Sequence, residues 1–262
     1  MAGKIIAILN QKGGCAKTTT TIHLGIGLAR QGKRVLLVDA DPQASMTIAL
    51  GWKNPDAIYT TLPYLLQVAD AGELHDPEAG ILHHTEGVDL VPSNISLAQF
   101  EAAMVNIDCR ERLLHNYLSL MKENYDYILI DNLPSLGLLT INTLTAADSI
   151  IIPVQPEYLS AIGMTQLLQT FARVKRKLNP ALDIEGILIT MADMRSLHAR
   201  AAVEEITRGY GAQLRIFETM IPVSVKVREA SAVGVSVFEH SPKSKVALAY
   251  AKFVREVLGD GL

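Results

Sequence analysis

Residues 5–19, Ile5-Ile-Ala-Ile-Leu9-Asn10-Gln11-Lys12-Gly13-Gly14-Cys15-Ala16-Lys17-Thr18-Thr19, decide the fold. An apolar strand, Ile5–Leu9, runs into a glycine-containing loop, and a helical pattern, Thr18–Gln31, follows. A phosphate cradle needs that order, because consecutive backbone N–H groups and a helix N-terminus must face the phosphates. In such a loop Lys17 would neutralise the β- and γ-phosphates of ATP, and the Thr18 hydroxyl would ligate Mg²⁺. A glycine turn without a ligand would leave the Lys17-Thr18 pair unexplained.

Outward from this loop the same alternation repeats. Strands are expected at Val35–Val38, Val88–Val91, Tyr127–Ile130, Ile150–Val154, Ile184–Ile189 and Leu214–Ile221, with helical patterns between them at 97–105, 110–122, 138–146, 164–178, 197–209 and 243–258. This spacing reads as βαβ units. The expected fold is therefore α/β: a single domain, residues 1–262, with a mostly parallel twisted sheet flanked by helices. Residues 52–87 are the least regular stretch and read as an insertion of short helices and loops.

Composition agrees, since 49% hydrophobic residues with only 5% aromatics suits an Ile/Leu/Val/Ala core. No apolar run approaches the roughly 18 residues a membrane span needs. No signal-peptide pattern is present, and two cysteines, Cys15 and Cys109, make no disulfide framework, so a soluble cytoplasmic protein is expected. Cys15 reads as a small space-filler, or alternatively as a thiol whose pKa the helix N-terminus lowers. His83-His84 lacks a metal-spaced partner and reads as surface loop. Charge is uneven. Residues 1–150 carry 10 Lys+Arg against 16 Asp+Glu, and residues 151–262 carry 14 against 11. The second half could therefore present a basic face.

Two apolar strands end in carboxylates. Val35-Leu-Leu-Val-Asp39-Ala-Asp41-Pro-Gln43 places two acids at a strand's C-terminal end, where one could sit near Mg²⁺ and the other orient the attacking water. Tyr127-Ile-Leu-Ile-Asp131 has the Walker B form, with Asp131 holding Mg²⁺ through a bound water.

The loop departs from the strict G-x-x-x-x-G-K-[ST] pattern, with Gln11 and Ala16 at the glycine positions, and fits the deviant form K-G-G-x-x-K-[ST]. In this it resembles the ParA/MinD family of deviant Walker ATPases. The resemblance extends along nearly the whole chain: V-D-A-D-P-Q at 38–43, V-P-S-N at 91–94, I-D-N-L-P-S-L-G-L-L-T at 130–140 (with Leu133 for the first proline), P-V-Q-P-E at 153–157, T-M-A-D-M-R at 190–195 and I-P-V-S-V-K at 221–226. It suits the chromosome and plasmid partition branch.

By that resemblance Lys12 acts in trans on the ATP of a second subunit, Asp41 positions the hydrolytic water, and Asp39 supports the metal. Residues 12–19 with Pro222 and Ser224 then border ATP, and Thr18, Asp39 and Asp131 serve Mg²⁺. Ala16 stands where a Cβ would approach the phosphates or an incoming partner chain.

The branch binds DNA without sequence preference through its C-terminal half. Arg195 and Lys226 match its basic positions. Arg228, at a serine position of the family, is a further candidate, and Val223 replaces a usual arginine. The resemblance implies a Mg-dependent ATPase, slow without a partner. It would dimerise around ATP, coat nucleoid DNA and release it on hydrolysis stimulated by a ParB-like centromere-binding protein or a cargo adaptor. With strand 1 starting so early, no N-terminal helix-turn-helix domain is expected.

Three alternatives compete. A MinD-like positioning ATPase would need a membrane-binding C-terminal helix, whereas the tail Ala251–Leu262 reads as a domain-closing helix with an acidic end, so no membrane partner is expected. A slow or non-hydrolysing nucleotide sensor is the second. An iron-protein-like electron donor, the third, needs seam cysteines that Cys15 cannot supply.

Overall fold

The structure is a computed structural model that describes residues 3–157 and 160–259, with the side chains of all of these but 160–163. The end of the tail, residues 260–262, lies outside the described residues. Seven strands form one sheet: β1 (Lys4–Ile8), β2 (Val35–Ala40), β3 (Leu82–His83), β4 (Asp89–Val91), β5 (Tyr127–Asn132), β6 (Ser149–Val154) and β7 (Asp183–Ile189), in the order β3-β4-β2-β5-β1-β6-β7. Every pairing is parallel except β3 with β4. All six residues of β2 and of β6 are buried, as strands covered on both faces must be.

Alternate residues of one strand feed two separate cores. Ile5 and Ala7 of β1 join one, with residues of α3 (Leu62–Asp70), α5 (Leu113–Met121) and α7 (Ser160–Lys177). Ile6 and Ile8 join the other, with α1 (Lys17–Ala29) and α11 (Lys245–Leu258). On that side α1 is wedged tightly: a Cβ at Gly25 would stand 2.5 Å from Leu37 Cδ2, and one at Gly27 would stand 2.4 Å from Val254 Cγ2. The helix that carries the phosphate loop is thus fixed between the sheet and α11.

The remaining helices are α2 (Ser45–Ala49), α4 (Ser96–Ala103), α6 (Leu138–Ala146), α8 (Leu197–Tyr210), α9 (Val225–Val233) and α10 (Val237–His240). The expected strand Leu214–Ile221 does not form. Its ends do run beside β7, through Ile187 N–H to Arg215 O (2.9 Å), Phe217 N–H to Ile187 O (3.0 Å) and Ile221 N–H to Ile189 O (2.9 Å). Between them the Glu218 and Thr219 N–H groups turn away to the Glu256 carboxylate, at 2.9 and 2.8 Å, which breaks the ladder. The irregular stretch holds a 3₁₀ turn at Pro55–Ala57, α3 and the short β3. His83 there is exposed and bonded to Asp89, whereas His84 is buried and bonds the Gly234 carbonyl, so only the first matches the surface-loop expectation.

Candidate nucleotide site

The parallel sheet brings the C-terminal ends of β1, β2 and β5 side by side, the usual place for a ligand in such a fold. Asn10 Nδ2 donates to Pro153 O (2.8 Å) and Asn10 Oδ1 accepts from Lys12 N–H (3.0 Å), which turns the chain out of β1. Gly14 follows at φ +73° and Ala16 at φ +66°. The left-handed region suits glycine and costs an alanine about 1 kcal/mol. The Thr190 hydroxyl donates to Cys15 O (2.9 Å) and ties the loop to the end of β7. Lys17 begins α1, and no side chain caps that N-terminus, so its first N–H groups face the cleft. Lys17 Nζ donates to the Lys12 carbonyl at 3.0 Å, and the Cys15 thiol donates to the same oxygen at 3.2 Å. Cys15 is fully buried and burial raises its thiol pKa, with Lys17 opposing, so the space-filler reading holds and the lowered-pKa one does not.

The acids stand opposite. Register pairs Asp39 with Asp131 across β2 and β5, so both carboxylates leave the same face. Asp39 is fully buried. Its Oδ2 accepts from Thr47 N–H (2.9 Å) and Thr47 Oγ1 (2.7 Å), and its Oδ1 from Asp41 N–H (3.3 Å). Burial pushes its pKa up to about 6. Asp131 is also fully buried. Burial first, and then the charge of Asp39, raise its pKa well above the carboxylate range, opposed by the Thr18 hydroxyl and Lys17.

Thr21 Oγ1 reaches Asp131 Oδ1 at 3.5 Å, while Oδ2 has no hydrogen-bond partner among the described residues. A buried, unpartnered carboxylate oxygen beside a second carboxylate and the Thr18 hydroxyl is an all-oxygen donor set short of positive charge, and it fits Mg²⁺. Asp131 and Thr18 are the residues placed to hold the ion. Asp39 has its oxygens engaged by the chain and contributes its charge. Asp41 joins that network only through its backbone N–H, which donates to Asp39 Oδ1; its carboxylate is on the cleft lining, with Oδ1 accepting from Gln43 N–H (2.9 Å).

The cleft is about 580 Å³ and joins residues 13, 14 and 16–19 of the loop, Asp41 and, on the far wall, Pro222 and Ser224, the expected adenine border. Eight further lining residues were given no role in the cleft by the motif reading: Ser45, Asn132, Pro134, Met191, Ile221, Val223, Val227 and Tyr250. All but Ser45, Val227 and Tyr250 lie within the quoted motifs, and Ser45 and Val227 follow closely on two of them. Tyr250, whose hydroxyl lies 3.5 Å from Thr20 Oγ1, carries no sequence signal beyond the apolar face of α11. A larger concavity, about 660 Å³, lies near Tyr59, Tyr64 and Phe100. It lacks a phosphate loop and has Asp56 as its one charged lining residue, so the phosphate chemistry belongs to the cleft.

The remaining expected residues divide. Lys12 is not aimed into the cleft: its Nζ pairs with Glu157 Oε2 at 2.5 Å. Ala192 pairs with Pro222 in an isolated parallel bridge, which sets the segments of Arg195 and Lys226 side by side. Arg195 is exposed and held by Asp193 through two bonds of 2.9 and 3.1 Å. Lys226 pairs with Glu229 at 2.8 Å. Arg228, expected with them, lines the cleft instead. Among the described residues no helix is long and apolar enough to cross a membrane.

Known proteins resemble the chain along its length. The AAA domain family model matches residues 3–184. The sporulation initiation inhibitor protein Soj of Bacillus subtilis is 42% identical over 259 residues, covering 99% of this chain and all of that one. The chromosome-partitioning ATPase Soj of Treponema pallidum is 39% identical over 260 residues, 99% of each chain. The crystal structure of cobyrinic acid a,c-diamide synthase from Mycobacterium smegmatis with bound ATP analogue and magnesium superposes at a TM-score of 0.84 and 36% identity, over 98% of this chain and 94% of that one.

Proposed function

The chain belongs to the ParA/Soj family of partition ATPases, and from that membership we propose that residues 1–262 act as one ATP-driven DNA-partition switch. Two subunits close around ATP, the dimer holds DNA without sequence preference, and hydrolysis stimulated by a ParB-like or cargo-adaptor protein releases it. The carrying observation is the cleft itself: a lysine-bearing phosphate loop and Asp41 line it, and the helix that the loop opens touches the buried carboxylate pair through Thr21 and Asp131.

On ATP binding Lys17 exchanges the Lys12 carbonyl for phosphate oxygens, and the α1 N-terminus and the N–H groups of residues 13–19 complete the cradle. Thr18 and Asp131 would hold Mg²⁺, which would supply charge to neutralise the phosphate oxygens. Asp41 orients the attacking water. Lys12 leaves Glu157 and reaches the partner subunit's ATP, as an arginine finger does. Turnover is slow until the partner protein acts.

Arg195 and Lys226 supply phosphate contacts to DNA, the protein working in the cytoplasm on nucleoid DNA. Both already hold carboxylate partners that DNA phosphates must displace, which favours weak binding, and each phosphate contact made adds about one unit to the salt slope. The apolar residues Val246, Tyr250, Phe253 and Val254 of α11 are buried in the core shared with α1, which leaves that face of the helix unavailable to a lipid surface. The test is retention on a non-specific DNA column. Retention should require ATP, fade with salt and weaken in Lys226→Ala. Asp41→Ala should bind ATP and turn it over poorly. DNA retention indifferent to ATP and to Lys226→Ala would refute the partition reading.

A further inference from the structure

α9 starts at the N-cap Ser224, whose hydroxyl accepts from Lys226 N–H at 3.2 Å. Helical spacing then puts Ser224, Val227 and Arg228 on one face, at i, i+3 and i+4. All three line the nucleotide cleft, together with Pro222, Val223 and Tyr250. Lys226 and Glu229 lie on another face and satisfy each other in an ion pair. Arg228 has no hydrogen-bond or ion-pair partner among the described residues, unlike Arg195 and Lys226. Pro222, Val223, Val227 and Tyr250 line the cleft with it, and Lys17 of the phosphate loop lines the same cleft. Val223, also in the lining, is uncharged, so Arg228 is the cation that residues 221–228 bring to the cleft lining among the described residues.

We infer that Arg228 is a nucleotide-contacting residue, its planar guanidinium closing over the adenine–ribose end of bound ATP or ADP, and that it takes no part in holding DNA. A guanidinium stacks on a purine face, and an arginine without a protein partner gives up no existing bond to do so. The nucleoside end is favoured because Arg228 shares a helix face with Ser224 and Val227, next to Pro222, on the segment expected to border the adenine, whereas residues 13–19 carry the phosphate chemistry. This assignment rests on the nucleotide reading of the cleft.

The test is calorimetric titration with ADP, and separately with inorganic pyrophosphate, in the presence of Mg²⁺ and without DNA. Wild type, Arg228→Ala, Arg228→Lys and Lys226→Ala are compared. Arg228→Ala should raise the ADP Kd about fivefold, Arg228→Lys should recover little of it, and Lys226→Ala should match wild type. Pyrophosphate affinity should not change in any variant, because that ligand has no nucleoside. At saturating ATP, Arg228→Ala should stay on the DNA column as wild type does. An ADP Kd within twofold of wild type overturns the assignment. So does an equal loss for pyrophosphate, or lost DNA retention at saturating ATP. Failure of the wild type itself to bind ADP would instead refute the nucleotide reading of the cleft.

Discussion

Lys12 Nζ lies 2.5 Å from Glu157 Oε2, a pairing across 145 positions of sequence that engages within one subunit the lysine proposed to serve the next. The two side chains are 31% and 51% exposed, so solvent screens the pair and its worth is at most about 1 kcal/mol. Such a contact can park a side chain without locking it.

Glu157→Gln should therefore ease ATP-dependent dimerisation. The concentration for half-dimerisation with ATP and Mg²⁺ should fall by up to about thirtyfold in sedimentation velocity, the equivalent of about 1 kcal/mol for each of the two pairs released. A weaker dimer would show that Glu157 serves the interface rather than restraining Lys12.

Ala16 holds a left-handed backbone, φ +66°. Ala16→Gly removes a conformational cost of about 1 kcal/mol and gains unfolded-chain entropy that returns part of it. Urea denaturation should show the variant as stable as wild type or up to about 0.5 kcal/mol more stable, and Ala16→Val less stable by more than 1 kcal/mol. A clear loss in Ala16→Gly would mean that the alanine methyl makes contacts worth more than its strain.

Asp39 supplies a pH dependence of definite sign. Its folded pKa of about 6 lies above the ordinary 3.8, so the native state holds the proton more tightly and this group's contribution to stability is lost as pH rises from about 4 through 6. Asp39→Asn has no charge to bury. In EDTA it should exceed wild type at pH 7 by up to about 3 kcal/mol, and that advantage should vanish by pH 4. A difference that stays flat with pH would show that Asp39 is not the titrating group.

Glu256 is buried and bonds the N–H groups of Glu218 and Thr219, as well as the Thr219 hydroxyl, just before Ile221 and Pro222 enter the cleft wall. Glu256→Ala leaves two N–H groups unpaired and should lower stability by about 2–3 kcal/mol in urea. It should also weaken ADP binding, and Glu256→Gln should lose less of both. Unchanged ADP affinity in Glu256→Ala would show that the wall holds its shape without this anchor.

The legible parts were those written in neighbouring residues. The apolar runs of β1, β5 and β6 and the helix after the loop could be read because burial on both faces demands uninterrupted aliphatic side chains. Lys17 and Thr18 could be located because they open the helix that follows such a run and its loop, and Asp131 because it sits near the end of one. Leu214–Ile221 has the composition of a strand, yet its middle bonds to a carboxylate on α11, a partner about 40 residues downstream that no local pattern announces. Arg228 was grouped with Lys226 by sequence proximity, whereas helix α9 turns the two to different surroundings. The hold of Glu157 on Lys12 was illegible for the same reason: the pair exists only after β1 and β6 have come together.

The register that pairs Asp39 with Asp131 belongs to the backbone ladder, and a ladder resists shear. Neighbouring strands keep about 4.8 Å between them, so the two carboxylates cannot drift apart to relieve their repulsion. The sheet acts as a fixed-gauge frame that keeps the two carboxyl groups close before any cation arrives. An ion loaded there would relieve the strain of holding two ionised carboxylates so close, so affinity for the cation and resistance to unfolding are coupled, and a substitution that removes one of these charges to stabilise the empty protein would loosen its grip on the metal.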